Sequence, residues 1–190
     1  MTDQDQSLLA LRTLLAERSA RRGQFTLSSG RISSLYIDAR LTTMSPEGLA
    51  LIGPLGLGAL RHANWRVDAV GGLTLGADPI AYAISYASIL AGGPAVRAFT
   101  VRKEAKAHGT GQLIEGPFRV GDRVAVVEDV ITTGASAIRA AEVVRAAGGQ
   151  VVGVLALVDR EEGGREALER AGLEVRSLTC ARDIVTLLPA

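Results

Sequence analysis

Hydrophobic and polar positions along the chain follow two rhythms, one of period near 3.6 and one of nearly unbroken apolar runs. Leu8, Leu9, Leu11, Leu14 and Leu15 form a helical stripe that ends near Arg18, and residues 21–23 break it. Two strand-like runs follow, at 24–27 and 35–41, with the turn Ser28-Ser29-Gly30 between them. Ser45-Pro46-Glu47 has the marks of a helix start: a hydroxyl at the cap, proline at the first position and an acid in the first turn. That helix runs to about His62, with Pro54 as a candidate kink.

Beyond it, apolar strands and amphipathic helices alternate. Residues 69–70 form a short strand entering Gly71-Gly72, 78–89 a helix, 98–101 a strand, 123–127 a continuous apolar strand, and 136–147 an alanine-rich helix ending at Gly148-Gly149. Then come a strand at 151–158, a short helix at 165–171 and a last strand at 173–178; residues 102–117 are polar and lack apolar periodicity. This pattern predicts an α/β fold with a mostly parallel sheet covered by helices on both faces. Right-handed crossovers would bring the strand ends carrying Gly71, Glu128 and Asp159 to one edge, where open α/β sheets bind ligands.

The 190 residues suffice for one domain with a sizeable core, and 47% hydrophobic with 22% charged residues is a folding composition. A formal net charge of +1 means that any anion site must be local. The single cysteine, Cys180, excludes a disulfide within the chain and argues against a cysteine-based metal cluster. The start MTDQDQSLLA lacks the basic residues of a secretory signal, and charged residues interrupt every candidate membrane span, so a cytoplasmic location is expected.

The most informative stretch is Val126-Val127-Glu128-Asp129-Val130-Ile131-Thr132-Thr133-Gly134-Ala135-Ser136. A buried strand ends in two acids, then hydroxyls and a glycine lead into a helix. Gly134 permits a tight turn that gathers backbone N–H groups, the helix N-terminus adds unpaired donors, and Thr132, Thr133 and Ser136 add hydroxyls, which together make a phosphate-monoester cradle. The lysine of a P-loop is absent, which disfavours nucleoside-triphosphate hydrolysis. Glu128 and Asp129 would repel a phosphate, but they suit the hydroxyls of a ribose, with Mg²⁺ sharing the charge. The plain alternative is a charged strand end followed by an ordinary Ser/Thr cap.

Residues 126–134 resemble the phosphoribosyl-pyrophosphate (PRPP) motif of type I phosphoribosyltransferases. The resemblance implies that fold, with a small N-terminal hood at about 1–45 on a core at about 46–190 in one domain, and PRPP binding by Glu128, Asp129, Val130, Ile131, Thr132, Thr133, Gly134, Ala135 and Ser136. A second segment, Arg102-Lys103-Glu104-Ala105-Lys106-Ala107-His108-Gly109, packs three cations and a histidine into seven residues before glycines. Such a loop would stabilise a departing pyrophosphate from a dried site, although a lone charge run is more often a solvated surface. It resembles the catalytic loop of orotate phosphoribosyltransferases. That likeness implies PRPP contacts from Arg102, Lys103, Lys106 and His108, catalytic roles for Lys103, Lys106, His108 and Asp129, and a homodimer with shared active sites. It implies Mg²⁺ as cofactor, held through pyrophosphate and ribose with no firm protein ligand.

Three more segments extend the resemblance from about Phe25 to Arg182. Residues 25–31 and Tyr36-Ile37-Asp38 resemble the family's hood, which places Tyr36 and Ile37 near the base. Residues 71–79 resemble its pyrophosphate loop. Residues 157–164 resemble its Asp-Arg segment, which pairs Arg160 with the orotate carboxylate and brings Thr132 to the base. Read from its residues alone, Arg160 is equally a carboxylate partner or a surface ion pair with Glu161 or Glu162. The chain departs from many family members where they carry lysines, at Ser28 and near Leu75.

Other features have plainer readings. Residues 53–58, glycine-rich within a helix pattern, indicate close helix packing; His62 suits a helix-end capping role; Trp65 reads as a packing residue. Tyr82 and Tyr86, four apart, suit the core or a dimer interface, and Cys180 reads as an idle thiol. A purine phosphoribosyltransferase and a DNA-binding regulator are the rival functions; the first has less use for Arg160, and the near-neutral charge argues against the second.

Overall fold

A computed structural model describes residues 2–26, 32–104 and 112–188. Helix α1 (Asp3–Leu14) is opened by Thr2, whose hydroxyl accepts from the Asp5 N–H while the Asp5 carboxylate accepts from the Thr2 N–H. The stripe read from the leucines is real: Leu11 and Leu15 are fully buried. The helix does not simply stop at Arg18, however. It widens into a π-helical turn, Leu15–Ser19, that buries Leu15, Ala16 and Ser19.

Strand β1 (Ala20–Thr26) follows at once and pairs antiparallel with β2 (Ile32–Ile37). Residues 21–23 therefore belong to a strand rather than to a break. The two-stranded ribbon stands apart from the main sheet and leaves Arg21 to Gln24 exposed, so polar side chains cost little there. The second strand also ends earlier than its apolar pattern predicts. At Asp38 the carboxylate accepts the Arg40 N–H, and the chain turns into a short helix, α2 (Arg40–Thr43), that buries Thr42 and Thr43.

Helix α3 (Pro46–His62) starts where predicted, with the Ser45 hydroxyl accepting from the Gly48 N–H, and continues through Pro54. Its glycines do permit close packing. A Cβ on Gly53 would lie 2.6 Å from the Ala83 carbonyl oxygen, and one on Gly56 would lie 2.7 Å from Ile84. At its end, His62 Nδ1 sits 2.8 Å from the Gly58 carbonyl oxygen, in keeping with an end-capping role.

The main sheet has six strands: β3 (Ala69–Leu73), β4 (Arg97–Val101), β5 (Ile114–Glu115), β6 (Arg123–Ile131), β7 (Gln150–Asp159) and β8 (Val175–Cys180). Their order is β5-β4-β3-β6-β7-β8, and every neighbouring pair is parallel except β4 with β5. Helices α4 (Ala77–Leu90), α5 (Ala135–Ala146) and α6 (Gly164–Arg170) make the crossovers, and α7 (Ala181–Val185), unread in the sequence, closes the described chain. On β6, Ala125 and Val127 join a core shared with α3 and α4, whereas Val124 and Val126 join one shared with α5 and α6. The sheet is thus covered on both faces, as its near-continuous apolar strands predict.

Gly71 and Gly72 are a correction. They are not a turn after a two-residue strand but the middle of β3. A Cβ on Gly71 would lie 2.3 Å from the Phe99 carbonyl oxygen, and one on Gly72 would lie 2.0 Å from that of Val127, so glycine lets β4 and β6 close on β3. Tyr82 and Tyr86 are also outside the core, at 53% and 69% exposure. Trp65 does pack against the core, and its indole N–H donates to Glu174 at 3.1 Å.

Candidate active site

The carboxyl ends of β3, β6 and β7 meet the hood ribbon at one edge, where two cavities of about 450 Å³ each lie side by side. One is lined by Tyr36 and Ile37 from β2, the stretch Glu128 to Ser136, and Arg160. The other is lined by Lys103 and by the Leu73–Gly76 turn. Arg40, Glu128, Asp129 and Ser136 line both, so the acid pair sits where the two halves join.

The acids are the last polar positions of β6, held by its pairing with β7 through Ile131 and Asp159. Both are largely buried, and Glu128 Oε2 has no hydrogen-bond partner. Burial, reinforced by the neighbouring Asp129 charge, pushes the Glu128 carboxyl up to about 8. Burial likewise raises Asp129, although the Val130 N–H, which donates to its Oδ1 at 2.8 Å, opposes that shift. The 73–76 turn runs directly against Asp129: a Cβ on Gly76 would lie 2.4 Å from the Asp129 carboxyl carbon. Asp78, at the start of α4, braces this turn by accepting the hydroxyls of Thr74 at 2.7 Å and Thr100 at 2.8 Å.

Behind the acids, Gly134 takes φ +80° and caps α5 without any side-chain bond. No side chain could extend there, because a Cβ would lie 2.9 Å from the Gly164 carbonyl oxygen. The first N–H groups of α5 therefore open toward the cleft beside the Thr132, Thr133 and Ser136 positions, with only Thr133 Oγ1, at a long 3.4 Å, near the Ala135 N–H.

Arg160 lines the first cavity with its side chain 5% exposed. One nitrogen, Nη2, donates to the Ser33 hydroxyl and the Leu35 carbonyl, both at 2.9 Å, and pairs with Glu162 at 2.8 Å; Nε is buried with no partner. The ion pair left open by the sequence thus exists, with Glu162 and from a buried guanidinium, while the bonds to Ser33 and Leu35 tie the end of β7 to the hood. Near it the Phe25 and Tyr36 rings lie 5.3 Å apart, centroid to centroid.

The basic loop is divided. Lys103 faces the cleft, and its carbonyl oxygen accepts from Arg139. Arg102 lines neither half; it pairs with Glu115 of β5 at 3.2 Å. Lys106, His108 and Ser28 lie outside the described residues. Arg40 went unread in the sequence, where it looks like a polar position of a strand, yet it reaches both halves of the cleft.

No family model matches the chain. Individual relatives do. An orotate phosphoribosyltransferase of Aquifex aeolicus is 51% identical over 154 residues, which is 81% of this chain and 82% of the relative. The chain belongs to the orotate phosphoribosyltransferase family. Enzymes of this family transfer ribose 5-phosphate from PRPP to orotate, giving orotidine 5′-phosphate and pyrophosphate in pyrimidine biosynthesis. Among solved structures, the orotate phosphoribosyltransferase of Mycobacterium tuberculosis bound to Fe(III) dicitrate superposes with a TM-score of 0.82 at 47% identity, covering 94% of this chain and 98% of the other. The same enzyme in complex with PRPP gives 0.79 at 43% identity, covering 94% and 99%. The type I phosphoribosyltransferase fold expected from the acid-and-glycine motif is therefore the fold observed.

Proposed function

We propose that this chain performs its family's reaction with the two halves of the cleft divided by substrate group. The α5 N-terminus and the hydroxyls of Thr132, Thr133 and Ser136 hold the 5-phosphate. Glu128 and Asp129 accept the ribose hydroxyls. Lys103 and the 73–76 turn receive the diphosphate, joined by Arg102, Lys106 and His108. Tyr36, Ile37, Thr132 and Arg160 receive orotate, a reading supported by their shared lining of the first cavity.

The observation that carries this reading is the buried, unpartnered Glu128 Oε2 at the junction. A desolvated acceptor beside an open helix N-terminus calls for a ligand that bears hydroxyls and a phosphate. The chemistry follows from that placement. As the C1–O bond to diphosphate breaks and the bond from orotate nitrogen to C1 forms, positive charge grows on the sugar. Carboxylates fixed in a poorly solvated floor stabilise it without reorganising. The orotate nitrogen gives up its proton to solvent, and no covalent enzyme intermediate is needed.

Magnesium fits this site through the substrate. Among the described residues no group of three or more His, Cys, Asp or Glu gathers to hold a metal, while oxygen donors of the kind Mg²⁺ prefers are present in Glu128 and Asp129. Bound to diphosphate and ribose oxygens beside these acids, it would neutralise charge on the leaving group. A homodimer with shared sites is part of the proposal, supported by the apolar face of α4, where Tyr82, Tyr86, Ile89 and Leu90 are all exposed. The single-domain arrangement of hood on core and a cytoplasmic location complete the reading; no helix among the described residues is long and apolar enough to cross a membrane.

Loss of orotate absorbance in the presence of PRPP and Mg²⁺ tests the assignment. Lys103→Ala is expected to slow that loss by about 100-fold while leaving the melting temperature within about 2 °C of the parent, because the side chain is exposed and faces the cleft. Equal losses of rate and stability would mark the segment as an ordinary solvated loop.

A further inference from the structure

Among the described residues, the pair Asp38–Arg40 is an ionic device in the cleft that the proposed function leaves unused. Arg40 Nε and Nη2 donate to the two oxygens of Asp38 at 2.8 and 2.9 Å, and Asp38 Oδ1 also accepts the Arg40 backbone N–H at 3.2 Å. This two-pronged hold fixes the plane of the guanidinium. Its base is rigid. The Asp38 N–H donates to the Ser19 carbonyl at 2.9 Å, and the Ser19 hydroxyl lies 2.8 Å from that of Thr42, both residues being buried where the π-helical turn meets α2. The third nitrogen, Nη1, has no partner among the described residues, and the side chain is 49% exposed.

Arg40 lines both cavities, together with Glu128, Asp129 and Ser136. Burial raises the Asp129 carboxyl, and the positive charge of Arg40 is among the influences that oppose that rise. Arg160, in contrast, is engaged with Glu162 and the hood. An arginine clamped on one edge, with donors left on the other and a place over the junction, is arranged to meet an anion that crosses from one half to the other. In the site as read above, that anion is the diphosphate attached to C1.

We infer that Arg40, positioned by Asp38, contacts the diphosphate of the donor and stabilises it as it departs, so that Arg40 is a substrate-binding residue and Asp38 a positioning residue. This rests on the division of the cleft proposed above. It assigns the affinity of the two products to different residues: pyrophosphate should depend on Arg40, and orotidine 5′-phosphate should not.

The test is calorimetric titration of the full chain, in Mg²⁺ buffer, with pyrophosphate and separately with orotidine 5′-phosphate. Arg40→Gln is expected to weaken pyrophosphate binding by about 10- to 100-fold, the range of one charge-assisted contact, and to change orotidine 5′-phosphate binding by less than about twofold. Arg40→Lys should fall between parent and Arg40→Gln, and it serves as the variant of record if Arg40→Gln does not fold. Asp38→Asn should raise the KM for PRPP with the KM for orotate unchanged, since it loosens the guanidinium without removing it. Pyrophosphate binding that is unchanged in Arg40→Gln, or weakened no more than that of orotidine 5′-phosphate, overturns the inference while leaving the site as read. A parent protein that binds neither product overturns the reading of the site and the inference with it.

Discussion

Neutralising the acid pair, Glu128→Gln together with Asp129→Asn, is expected to cut turnover by about 1,000-fold and to raise the melting temperature of the ligand-free protein. The first effect comes from removing two fixed negative groups from beside a carbon that becomes cationic, a loss comparable to deleting a preorganised donor from an oxyanion site. The second comes from the cost of holding ionised carboxylates in a poorly solvated floor. Burial raises both acids, Glu128 to about 8 against an ordinary value of 4.5. The direction of the pH dependence follows. A carboxyl whose folded value is raised favours the fold while protonated; that contribution is complete below about 4.5 and is lost as pH rises through about 8. Melting curves of parent and variant should therefore nearly coincide at about pH 4 and separate by a few degrees at about pH 8.5, with the variant the more stable. A merely structural acid pair gives the opposite ordering, with the variant less stable and no selective loss of rate.

Arg160→Met should damage both substrate recognition and the joint between hood and core. The guanidinium bonds Ser33 and Leu35 of β2 and pairs with Glu162 from a side chain that is almost wholly buried. Its removal strands a hydroxyl and a carbonyl that lose their donor, so unfolding free energy should fall by about 2–3 kcal/mol. If Arg160, which lines the cleft, also meets the orotate carboxylate, the KM for orotate should rise by about 100-fold, with the KM for PRPP little changed. Arg160→Lys separates the two roles. It keeps a cation for Glu162 but lacks the second donor edge, so stability should recover in part and orotate affinity should not. An orotate KM that recovers in step with stability would show that Arg160 only ties the hood down.

The acid-and-glycine loop was readable because its chemistry is contiguous: strand, two acids, hydroxyls, Gly134 and helix follow one another within a dozen residues, and local backbone rules place them. The parallel sheet was readable for the same reason, since β6 and β7 are apolar on both faces. What escaped depends on segments distant in sequence. Gly71 and Gly72 look like a turn locally, and only the approach of the Phe99 and Val127 carbonyls shows why a strand needs them. Arg102 looks like one cation among several in the basic loop, but the antiparallel return of β5 brings Glu115 to it. Arg40 looks like a strand residue, because nothing in the hood's sequence reveals that Asp38 turns the chain into α2 and lifts the guanidinium over the acids of β6. The leucine stripe of α1 gives no hint of the π-helical turn, which forms so that Leu15, Ala16 and Ser19 can all be buried at the base of the ribbon.

We propose that the buried acids take up the donor's ribose in their charged form. With burial pushing the Glu128 carboxyl up to about 8, most of it carries its proton in the free protein at about pH 7, and hydrogen bonds from sugar hydroxyls would favour the charged form. Titrating PRPP into the protein at about pH 7, in two buffers of different ionisation enthalpy, reads this directly. Donor binding is expected to release a large fraction of one proton, and Glu128→Gln none. Binding with the same heat in both buffers, or no binding at all, would contradict it.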